Sequence, residues 1–522
     1  MNNRRKVNKA VLSDLIYISK NVQAKSGEKT KYKKILFCPL NATEINTIRE
    51  TTFALSLKAR GIESKLLYLD TNLEKSEFYS TKKEYLIYKY KIKGNIGACE
   101  KMGLDVVRTS DYNKNLKKVQ GLEKLSGEEL ENYTYKGVFL GDLITASSVR
   151  TILSNGPEWE NTVFRNTAIQ NARSATLLVD IYSNILEKER PNKLVMTHGI
   201  YISWGPLFRL ARKMDIPVDV YGSSYRKNTV RFYHNAPNAP FPEAEWPNFK
   251  NVALNDKELS IVEDYIASRE DQNQDNVSTL FKDAVPASPD LQDFIAKNDE
   301  KKIFCMFTNI AWDAFAFSSE GKFSDMFDWI EQTISFFKKS NKSALILKAH
   351  PAEDHWNTPE KYRVKTLIKK IGLSENIYFI SETEKLKPFW LYEKIDWGII
   401  HISTVGLEMA LKEIPVISSG AGSHYSHNGF TIDPVDSKDY FEKLEQIEND
   451  EINFAPDTDI AKRYMYYRFF REAIPSEIML VKDFRRVDEF NIRSEKDLLP
   501  GKFKSLDIIL DGILNDSPFV YC

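Results

Sequence analysis

Short apolar runs separated by amphipathic segments recur in two stretches of this chain, a pattern typical of parallel sheets covered by helices. In the first stretch, apolar runs at residues 34–40 and 64–70 flank a helical segment at about 41–61. A strand, a helix and a strand at this spacing form a βαβ unit, which requires a parallel sheet. The same half then predicts strands at 193–199 and 217–222, a helix at 203–214 and a polar loop at 223–249.

The second stretch predicts a complete doubly wound domain between residues 302 and 417. Its predicted strands are residues 302–309, 344–348, 377–380, 397–402 and 415–417, and its predicted helices are residues 323–340, 359–371, 387–393 and 405–411. Two such halves in one chain favour a ligand site in the cleft between them. The predicted fold class is therefore α/β, with two doubly wound Rossmann-type domains that face a cleft.

These patterns divide the chain into five parts. They are a basic N-terminal arm (1–33), an N-terminal Rossmann-like domain (34–254) with a helical insertion at about 73–192, a helical connection (255–300), a C-terminal Rossmann-like domain (301–457) and C-terminal helices that brace the first domain (458–522). The length of 522 residues suits roughly two to four domains of ordinary size, so this division is reasonable.

Charge and cysteine content narrow the class of protein. The 73 basic residues equal the 73 acidic residues, which argues against a nucleic-acid-binding protein. No apolar run approaches the roughly 18–20 residues of a membrane span, and no signal-peptide pattern opens the chain. The four cysteines lie far apart and lack the spacing of metal ligands. We therefore expect a cytoplasmic protein without structural disulfides.

The first 34 residues depart from this balance of charge. They contain ten basic residues and only two acidic ones, Asp14 and Glu28. One interpretation is a basic arm that contacts anionic lipid, which would hold the protein peripherally at the inner face of a membrane. The alternative is a solvated and partly frayed terminus.

Residues suited to phosphate binding end one buried strand of the second half. Lys348 and His350 share one face of this strand, because side chains alternate along it, and Pro351 ends strand pairing. A cation and an imidazole together suit a phosphate, since one supplies charge and the other a hydrogen-bond donor. The alternative is a strand-end histidine that only bonds a backbone carbonyl.

Two further strand ends of the same sheet are compatible with an anion. Ser403 and Thr404 stand at the start of a predicted helix, where free N–H groups and the helix dipole favour negative charge. Glu408, one turn later, would either accept from a ribose hydroxyl or cap the helix. A glycine-rich turn at residues 420–425 lets backbone approach a ligand closely. Three consecutive strand ends therefore predict a site for a phosphate-bearing ligand.

This combination resembles the capsule polysaccharide biosynthesis proteins, a family that includes retaining β-Kdo transferases. The resemblance rests on Lys-x-His-Pro at 348–351, Ser-Thr-x-Gly-x-Glu at 403–408, and the segment from the glycine-rich turn to Gly-Phe-Thr-Ile-Asp-Pro at 429–434. The His-Pro and Ser-Thr elements are also similar to those of bacterial polysialyltransferases and teichoic-acid polymerases, which use CMP- or CDP-linked donors. The resemblance is clear over residues 303–440 and looser at 197–201 and 312–313.

The resemblance implies a GT-B fold and a glycosyltransferase of surface or capsular polysaccharide assembly. Such an enzyme would move a sugar from a nucleotide-activated donor, CMP-linked and Kdo-like, to a glycan or lipid-linked glycan acceptor. No further cofactor and no metal are expected, because the sequence lacks Asp-x-Asp and any His/Cys cluster with ligand spacing. The residues implied to bind the donor nucleotide are Lys348, His350, Pro351, Ser403, Thr404, Gly406, Glu408, Gly420, Gly422, Tyr425 and Gly429.

The first half departs from the Kdo-transferase pattern, and no catalytic carboxylate aligns there. His198, at the end of a predicted strand, is the candidate base, because an imidazole with a pKa near 6.5 suits proton abstraction. Glu44 and Asp142 are the candidate carboxylates. The alternatives are a packed strand-end histidine, an acid in the first turn of a helix and a turn aspartate.

Two other functions stay open on the sequence alone. One is a sugar-nucleotide epimerase of the same fold, which would convert its donor without an acceptor. The other is a non-catalytic subunit of a polysaccharide-assembly complex, which would bind nucleotide weakly or not at all.

Overall fold

The computed structural model describes most of the chain. The described residues are 2–24, 29–41, 43–79, 81–114, 116, 119–237, 245–271, 285–314, 322–419, 426–482 and 486–521, and their side chains are described except at 2–5, 270, 271 and 314. Gly420, Gly422 and Tyr425, three of the residues implied to bind the donor, lie outside the described residues.

Strands in the described residues belong to two large sheets and two small hairpins. They are β1 (Lys34–Leu40), β2 (Glu63–Tyr68), β3 (Asp105–Arg108), β4 (Thr134–Tyr135), β5 (Val138–Phe139), β6 (Lys193–Thr197), β7 (Val218–Ser223), β8 (Thr229–His234), β9 (Lys302–Phe307), β10 (Ser343–Lys348), β11 (Ile377–Ile380), β12 (Trp397–Ile400), β13 (Val416–Ser418), β14 (Ile474–Pro475), β15 (Met479–Lys482) and β16 (Arg486–Phe490).

Helices fill the connections between these strands. They are α1 (Asn2–Ser19), α2 (Glu44–Ala59), α3 (Lys82–Lys101), α4 (Gly127–Glu131), α5 (Gly141–Ile152), α6 (Thr162–Glu189), α7 (Tyr201–Lys213), α8 (Trp246–Phe249), α9 (Asp256–Asp271), α10 (Pro289–Lys297), α11 (Ala311–Ala314), α12 (Met326–Lys339), α13 (Ala352–His355), α14 (Val364–Ile371), α15 (Pro388–Tyr392), α16 (Val405–Leu411), α17 (Ser437–Glu448), α18 (Thr458–Tyr466) and α19 (Lys504–Asn515). No helix in the described part of the chain is both long and apolar enough to cross a membrane.

Both large sheets are doubly wound. The sheet of the first half has the order β14-β8-β7-β6-β1-β2-β3, in which β3, β2, β1, β6 and β7 are parallel and β8 runs antiparallel to β7. The sheet of the second half has the order β11-β10-β9-β12-β13 and is parallel throughout. The winding reverses between β1 and β6 in the first sheet and between β9 and β12 in the second. This topology confirms the predicted α/β class with two Rossmann-type domains.

Alternation of side chains along each strand gives each sheet two buried faces. In β1, Ile35 and Phe37 point into one core, which α1, α2, α3 and α19 cover. Leu36 and Cys38 point into the other, which α5, α6 and α7 cover. Helices on both faces leave only the strand ends open to solvent, so polar residues at those ends are available for a ligand.

Two strands that the first half contributes to its own sheet lie where the sequence predicted other structure. β3 lies inside the segment 73–192, which was predicted to be a helical insertion, and β8 lies inside the predicted loop at 223–249. β3 is a four-residue strand at the edge of the sheet, and it begins and ends with a charged residue, Asp105 and Arg108. It therefore lacks the apolar run that predicts a strand. β8 is almost wholly buried, but its threonine, arginine and histidine interrupt the apolar run that would predict a buried strand.

The basic arm is not a frayed terminus over the residues that the structure describes. Residues 2–19 form α1, and Val11, Leu12, Leu15 and Ile18 of this helix are buried in the first core. Apolar residues at this spacing occupy one face of a helix and hold it to the sheet. Lys6, Lys9 and Lys20 are exposed, so any role of these residues in binding would be played by an ordered helix and the turn that follows it.

The chain returns to the first half after completing the second. α18 runs directly into a π-helical turn at Tyr467–Arg471, and β14 then pairs with β8 at the edge of the first sheet. The hairpin β15–β16 follows, and α19 packs on the first core. The segment predicted as C-terminal helices therefore also contains three strands.

A buried ionic network closes the amino edge of the first sheet. The ammonium of Lys193, a fully buried residue at the start of β6, lies 2.8 Å from Oδ2 of Asp219 and 2.6 Å from Oδ1 of Asp516. Asp219 is also buried, and its Oδ1 lies 2.7 Å from Nδ1 of His234. Asp516 follows α19, so this network ties the end of the chain to two central strands.

Candidate functional site

Hydrogen bonds join the carboxyl ends of three neighbouring strands in the second sheet. The backbone N–H of Thr308, after β9, donates to the carbonyl of Lys348 at 3.1 Å. The backbone N–H of His350 donates to Oγ1 of Thr308 at 3.1 Å. Asn309 accepts at its side-chain oxygen from the N–H of Ile402, after β12, at 3.3 Å. These bonds fix the strand ends around the point where the winding reverses, which is where open α/β sheets bind ligands.

Lys348 places a buried positive charge at this point. The residue is 3% exposed, and its ammonium makes no hydrogen bond or ion pair with any residue the structure describes. Burial lowers the pKa of Lys348 to about 8, and the nearby Cys305 and Glu384 oppose that effect. An uncompensated buried charge is costly, so it marks a site where an anion would be stabilised.

His350 presents a hydrogen-bond donor beside this charge. Its Nδ1 accepts from the backbone N–H of Ala352 at 3.1 Å, which assigns the proton of the neutral ring to Nε2. Burial, with a smaller contribution from the charge of Lys348, lowers the pKa of His350 to about 4. The imidazole is therefore neutral at pH 7 and has Nε2–H to offer. Pro351 follows and stands at the start of the short helix α13.

The Ser403-Thr404 segment starts a helix of only seven residues, α16. Oγ of Ser403 accepts from the N–H of Val405 at 3.3 Å, and Gly406 is buried in the first turn. Glu408 makes two contacts that the sequence did not suggest. Its carboxylate accepts from Arg269 of α9 at 2.5 Å and from Tyr392 of α15 at 2.9 Å, so it joins α16 to both helices.

Gly429 belongs to a loop that the side chain of Asp433 holds through hydrogen bonds. Oδ1 of Asp433 accepts from Ser418 at 2.9 Å, and Oδ2 accepts from the N–H of His427 at 2.8 Å. Gly429 itself is exposed and has a φ of +87°, a backbone conformation that favours glycine. The loop is thus held against the end of β13.

His198 faces the cleft from the first half. It follows β6 with a φ of +62°, and its ring centroid lies 4.8 Å from that of Trp204. The ring reaches solvent, but the surrounding cleft walls desolvate it, and the charge of Arg150 adds to this effect, so that the pKa of His198 falls to about 4. The pKa near 6.5 that the sequence suggested is therefore wrong. The imidazole is neutral at pH 7, and it is a weaker base than expected.

The two candidate carboxylates already have protein partners. Glu44, in the first turn of α2, accepts a hydrogen bond from Asn8 of α1 at 3.4 Å. Asp142, in the first turn of α5, forms a bidentate ion pair with Arg209 of α7 and is about half exposed. Among the described contacts, neither carboxylate is joined to His198 or Lys348.

Arg150 is a cleft residue that the sequence did not reveal. Its guanidinium carbon lies 4.1 Å from the ring centroid of Trp312, which belongs to the second half. Its charge also lowers the pKa of His198. Burial raises the pKa of Tyr201, and the charges of Asp313 and Arg150 act on Tyr201 in opposite directions. Asp313 therefore lies close to Tyr201 and presents an exposed carboxylate from the second half. Arg150 and Trp312 are 162 positions apart, so no local pattern could have paired them.

The two halves touch along one side of the cleft. Val149 and Phe164 of the first half pack with Ile310, Trp312 and Ala352 of the second. Glu158 also accepts from Lys361 at 2.9 Å and from Tyr362 at 2.8 Å. Because Ala352 is two residues from His350, this contact brings the strand end that carries Lys348 and His350 against the first half. The two halves thus bring to this region two cations, Lys348 and Arg150, two neutral imidazoles, His198 and His350, and the carboxylate of Asp313.

Metal binding is not suggested at this cleft by the described residues. Among the residues that the structure describes, the group of histidine and acidic residues close enough to share an ion is Asp219, His234 and Asp516. That group lies at the amino edge of the first sheet, and the Lys193 ammonium already occupies it. Its charges are balanced by the protein itself.

Comparisons with known proteins give distant structural similarity only. No protein-family model and no curated protein sequence matches this chain. The chain is similar to the KpsC β-Kdo 2,4-transferase of Thermosulfurimonas dismutans, with a TM-score of 0.34, 10% identity, and coverage of 54% of this chain and 80% of that one. It is also similar to a UDP-GlcNAc 2-epimerase from Neisseria meningitidis, with a TM-score of 0.25, 12% identity, and coverage of 83% and 97%. The spinosyn rhamnosyltransferase SpnG gives a TM-score of 0.22, 10% identity, and coverage of 83% and 95%.

Proposed function

We propose that this protein is a glycosyltransferase that uses a nucleotide-activated sugar as its donor. The observation that carries the proposal is the buried ammonium of Lys348, which has no ion-pair partner among the described residues, beside the Nε2–H donor of His350. A diphosphate or phosphodiester group of a nucleotide-sugar would neutralise the charge of Lys348 and accept from His350.

The leaving group in such a transfer is the nucleotide phosphate. As the bond between the sugar and the phosphate oxygen breaks, negative charge grows on that oxygen, and a fixed cation and donor stabilise it. Lys348, His350 and the hydroxyl of Thr404 would act on this oxygen. The motif resemblance at 348–351 and 403–408 favours a CMP-linked, Kdo-like donor.

The acceptor hydroxyl must lose its proton to a group on the other wall of the cleft. We assign this role to His198, because it lies after β6 and faces the cleft as a neutral imidazole at pH 7. Asp313 is a further candidate, since its carboxylate is exposed there and near Tyr201. The acceptor would be a glycan or lipid-linked glycan of surface or capsular polysaccharide assembly, and the reaction would take place on the cytoplasmic side of a membrane.

Nucleotide binding can be tested before any acceptor is known. The purified protein would be titrated with CMP, CDP, UDP and GDP while thermal unfolding is recorded. A nucleotide at about 100 times its dissociation constant adds roughly 2.7 kcal/mol to the free energy of unfolding. The Lys348→Met variant is the control and is expected to lose the response. If none of the nucleotides stabilises the wild-type protein, the proposed donor site is refuted, and a non-catalytic subunit becomes the better description.

Transfer and epimerisation can be separated by leaving out the acceptor. A glycosyltransferase held with its sugar donor alone returns the donor unchanged apart from slow hydrolysis. An epimerase converts the donor to a mixture of epimers under the same conditions. Nuclear magnetic resonance of the donor sugar distinguishes the two outcomes directly.

A further inference from the structure

Helices α1 and α3 form a groove on the outer surface of the first half. The groove has a volume of about 490 Å³, and most of its lining comes from these two helices. On the α1 side it is lined by Lys9, Leu12, Ser13 and Ile16. On the α3 side its lining runs from Tyr90 to Lys101. The groove lies outside the cleft described above and shares with it none of the residues assigned to the donor.

Large apolar side chains are exposed on the same two helices. Leu86, Ile87 and Tyr90 of α3 are 57%, 43% and 66% exposed, and Tyr17 of α1 is 69% exposed. These are four of the eleven large hydrophobic residues that are exposed in the described part of the chain, so exposure is concentrated here. Leu86 and Tyr90 are one helical turn apart, so their side chains extend from one face of α3.

Positive charge surrounds these apolar side chains. α3 contains six lysines and two glutamates, and Lys83, Lys89, Lys93 and Lys101 are among its exposed residues. Across the groove, α1 adds Lys9, while Glu44 is the acidic residue in the groove lining. Exposed apolar side chains between lysines are the pattern of a helix that lies in the interface of an anionic bilayer.

Two glycines in the groove lack a packing explanation. Gly94 and Gly97 lie inside α3, and a Cβ atom added at either one would meet no atom within 4 Å. Each glycine inside a helix costs about 1 kcal/mol relative to alanine. Since no neighbour requires their small size, the open backbone between the lysines is available to a group from outside the protein.

We propose that α1 and α3 form a docking face for an anionic lipid bilayer. Leu86, Ile87 and Tyr90 enter the headgroup region, and the surrounding lysines contact lipid phosphates. The lysines and the exposed apolar side chains together favour this occupant, because a bilayer offers phosphates to the lysines and an apolar region to the leucine and isoleucine. The face includes α3, so it extends beyond the basic arm that the sequence suggested, and it does not depend on the donor site.

Vesicle co-sedimentation of the full chain tests the proposal. The probes are vesicles of phosphatidylcholine alone and vesicles of phosphatidylcholine and phosphatidylglycerol in equal parts. One variant combines Lys83→Gln, Lys93→Gln and Lys101→Gln, and a second combines Leu86→Ser and Ile87→Ser. The matched control neutralises three exposed lysines of the second half, Lys339, Lys369 and Lys370, in the same way.

The wild-type protein is expected to bind the anionic vesicles, and more weakly at high salt. Each lysine near an anionic surface contributes about a five-fold factor, so the triple α3 variant should lose binding on the order of 100-fold, whereas the control variant should not. The apolar variant should also bind more weakly. Circular dichroism verifies that each variant is folded.

Three results would overturn the proposal. They are equal binding to neutral and anionic vesicles, equal loss in the α3 and control variants, and a wild-type dimer in sedimentation velocity that the Leu86→Ser/Ile87→Ser variant abolishes. The last result would identify a second copy of the chain as the occupant of this face. None of these measurements involves nucleotide binding or transfer, so a failure here is distinct from a failure of the proposed activity.

Discussion

Two buried lysines in this chain should respond in opposite ways to the same substitution. Lys348 and Lys193 are 3% and 0% exposed, and each stands at one end of a central strand. Lys193 lies within 2.8 Å of Asp219 and 2.6 Å of Asp516, whereas Lys348 has no described ion pair. Methionine matches the length of a lysine stem without its charge. We therefore expect Lys348→Met to stabilise the fold and Lys193→Met to destabilise it.

The size of the stabilisation expected for Lys348→Met follows from the pKa of Lys348. Burial lowers this pKa from 10.5 to about 8, and each pH unit corresponds to about 1.36 kcal/mol, so the charged form costs on the order of 3 kcal/mol at pH 7. The direction in which stability changes with pH follows from proton binding in the folded and unfolded states. Below pH 8 the folded protein carries the full free-energy cost of the buried charge. Between pH 8 and 10.5 the unfolded chain keeps a proton that the folded chain has lost, so the free energy of unfolding rises with pH. The substitution removes both the cost and this rise.

The destabilisation expected for Lys193→Met comes from the loss of a buried ion pair. Removing its ammonium leaves the buried carboxylate of Asp219 without its cation, and breaking a buried pair in this way costs about 3–5 kcal/mol. Denaturant unfolding of both variants at pH 7, and of Lys348→Met across pH 7–10, measures these changes. Destabilisation by Lys348→Met comparable to that by Lys193→Met would refute the reasoning, because it would mean that Lys348 has a structural partner and is not held for a ligand.

Four further outcomes follow from the cleft. His350→Ala should weaken nucleotide binding by about 1.5–3 kcal/mol in calorimetry with the fold intact, and unchanged affinity would remove His350 from the phosphate site. Nucleotide affinity of the wild type should fall as pH rises above about 8, where Lys348 loses its proton, and a Lys348→Arg variant should bind without that fall. His198→Ala should lower turnover by about 10²–10⁴-fold with little change in nucleotide affinity, and His198→Gln should not restore it. Because the pKa of His198 is about 4, wild-type turnover should not decline through loss of this base between pH 7 and 5, and a decline centred near pH 6.5 would contradict the assignment.

The periodic parts of the fold could be predicted from the sequence. The strands of the second sheet are continuous apolar runs, because a parallel sheet buries both faces, and α16 begins and ends where its pattern does. β3 and β8 were missed because an edge strand and a polar strand carry no such run. Local patterning also predicts that Lys348, His350 and Ser403 lie at one edge of the sheet, since the carboxyl ends of parallel strands share that edge.

Partners distant in the chain could not be predicted. The bonds of Glu408 to Arg269 and Tyr392, and the contact of Arg150 with Trp312, depend on how helices pack after the sheets form. The same is true of the pKa of His198, which responds to the walls of the cleft and to Arg150. The residue type at a strand end thus indicates which chemical group is present, while the surrounding residues determine its pKa and its partners.

The return of the chain to the first sheet has a consequence for biosynthesis. β14, α19 and Asp516 complete the first domain, although β8 is synthesised about 280 residues before Asp516. At about 5–20 residues per second, the nascent first half waits roughly a quarter of a minute to a minute with one sheet edge and part of its core uncovered. The second sheet draws all its strands from one continuous segment, so it can fold on the ribosome as soon as that segment emerges. The domain made first is therefore finished last, and one edge of its sheet stays exposed until the end of the chain has been made.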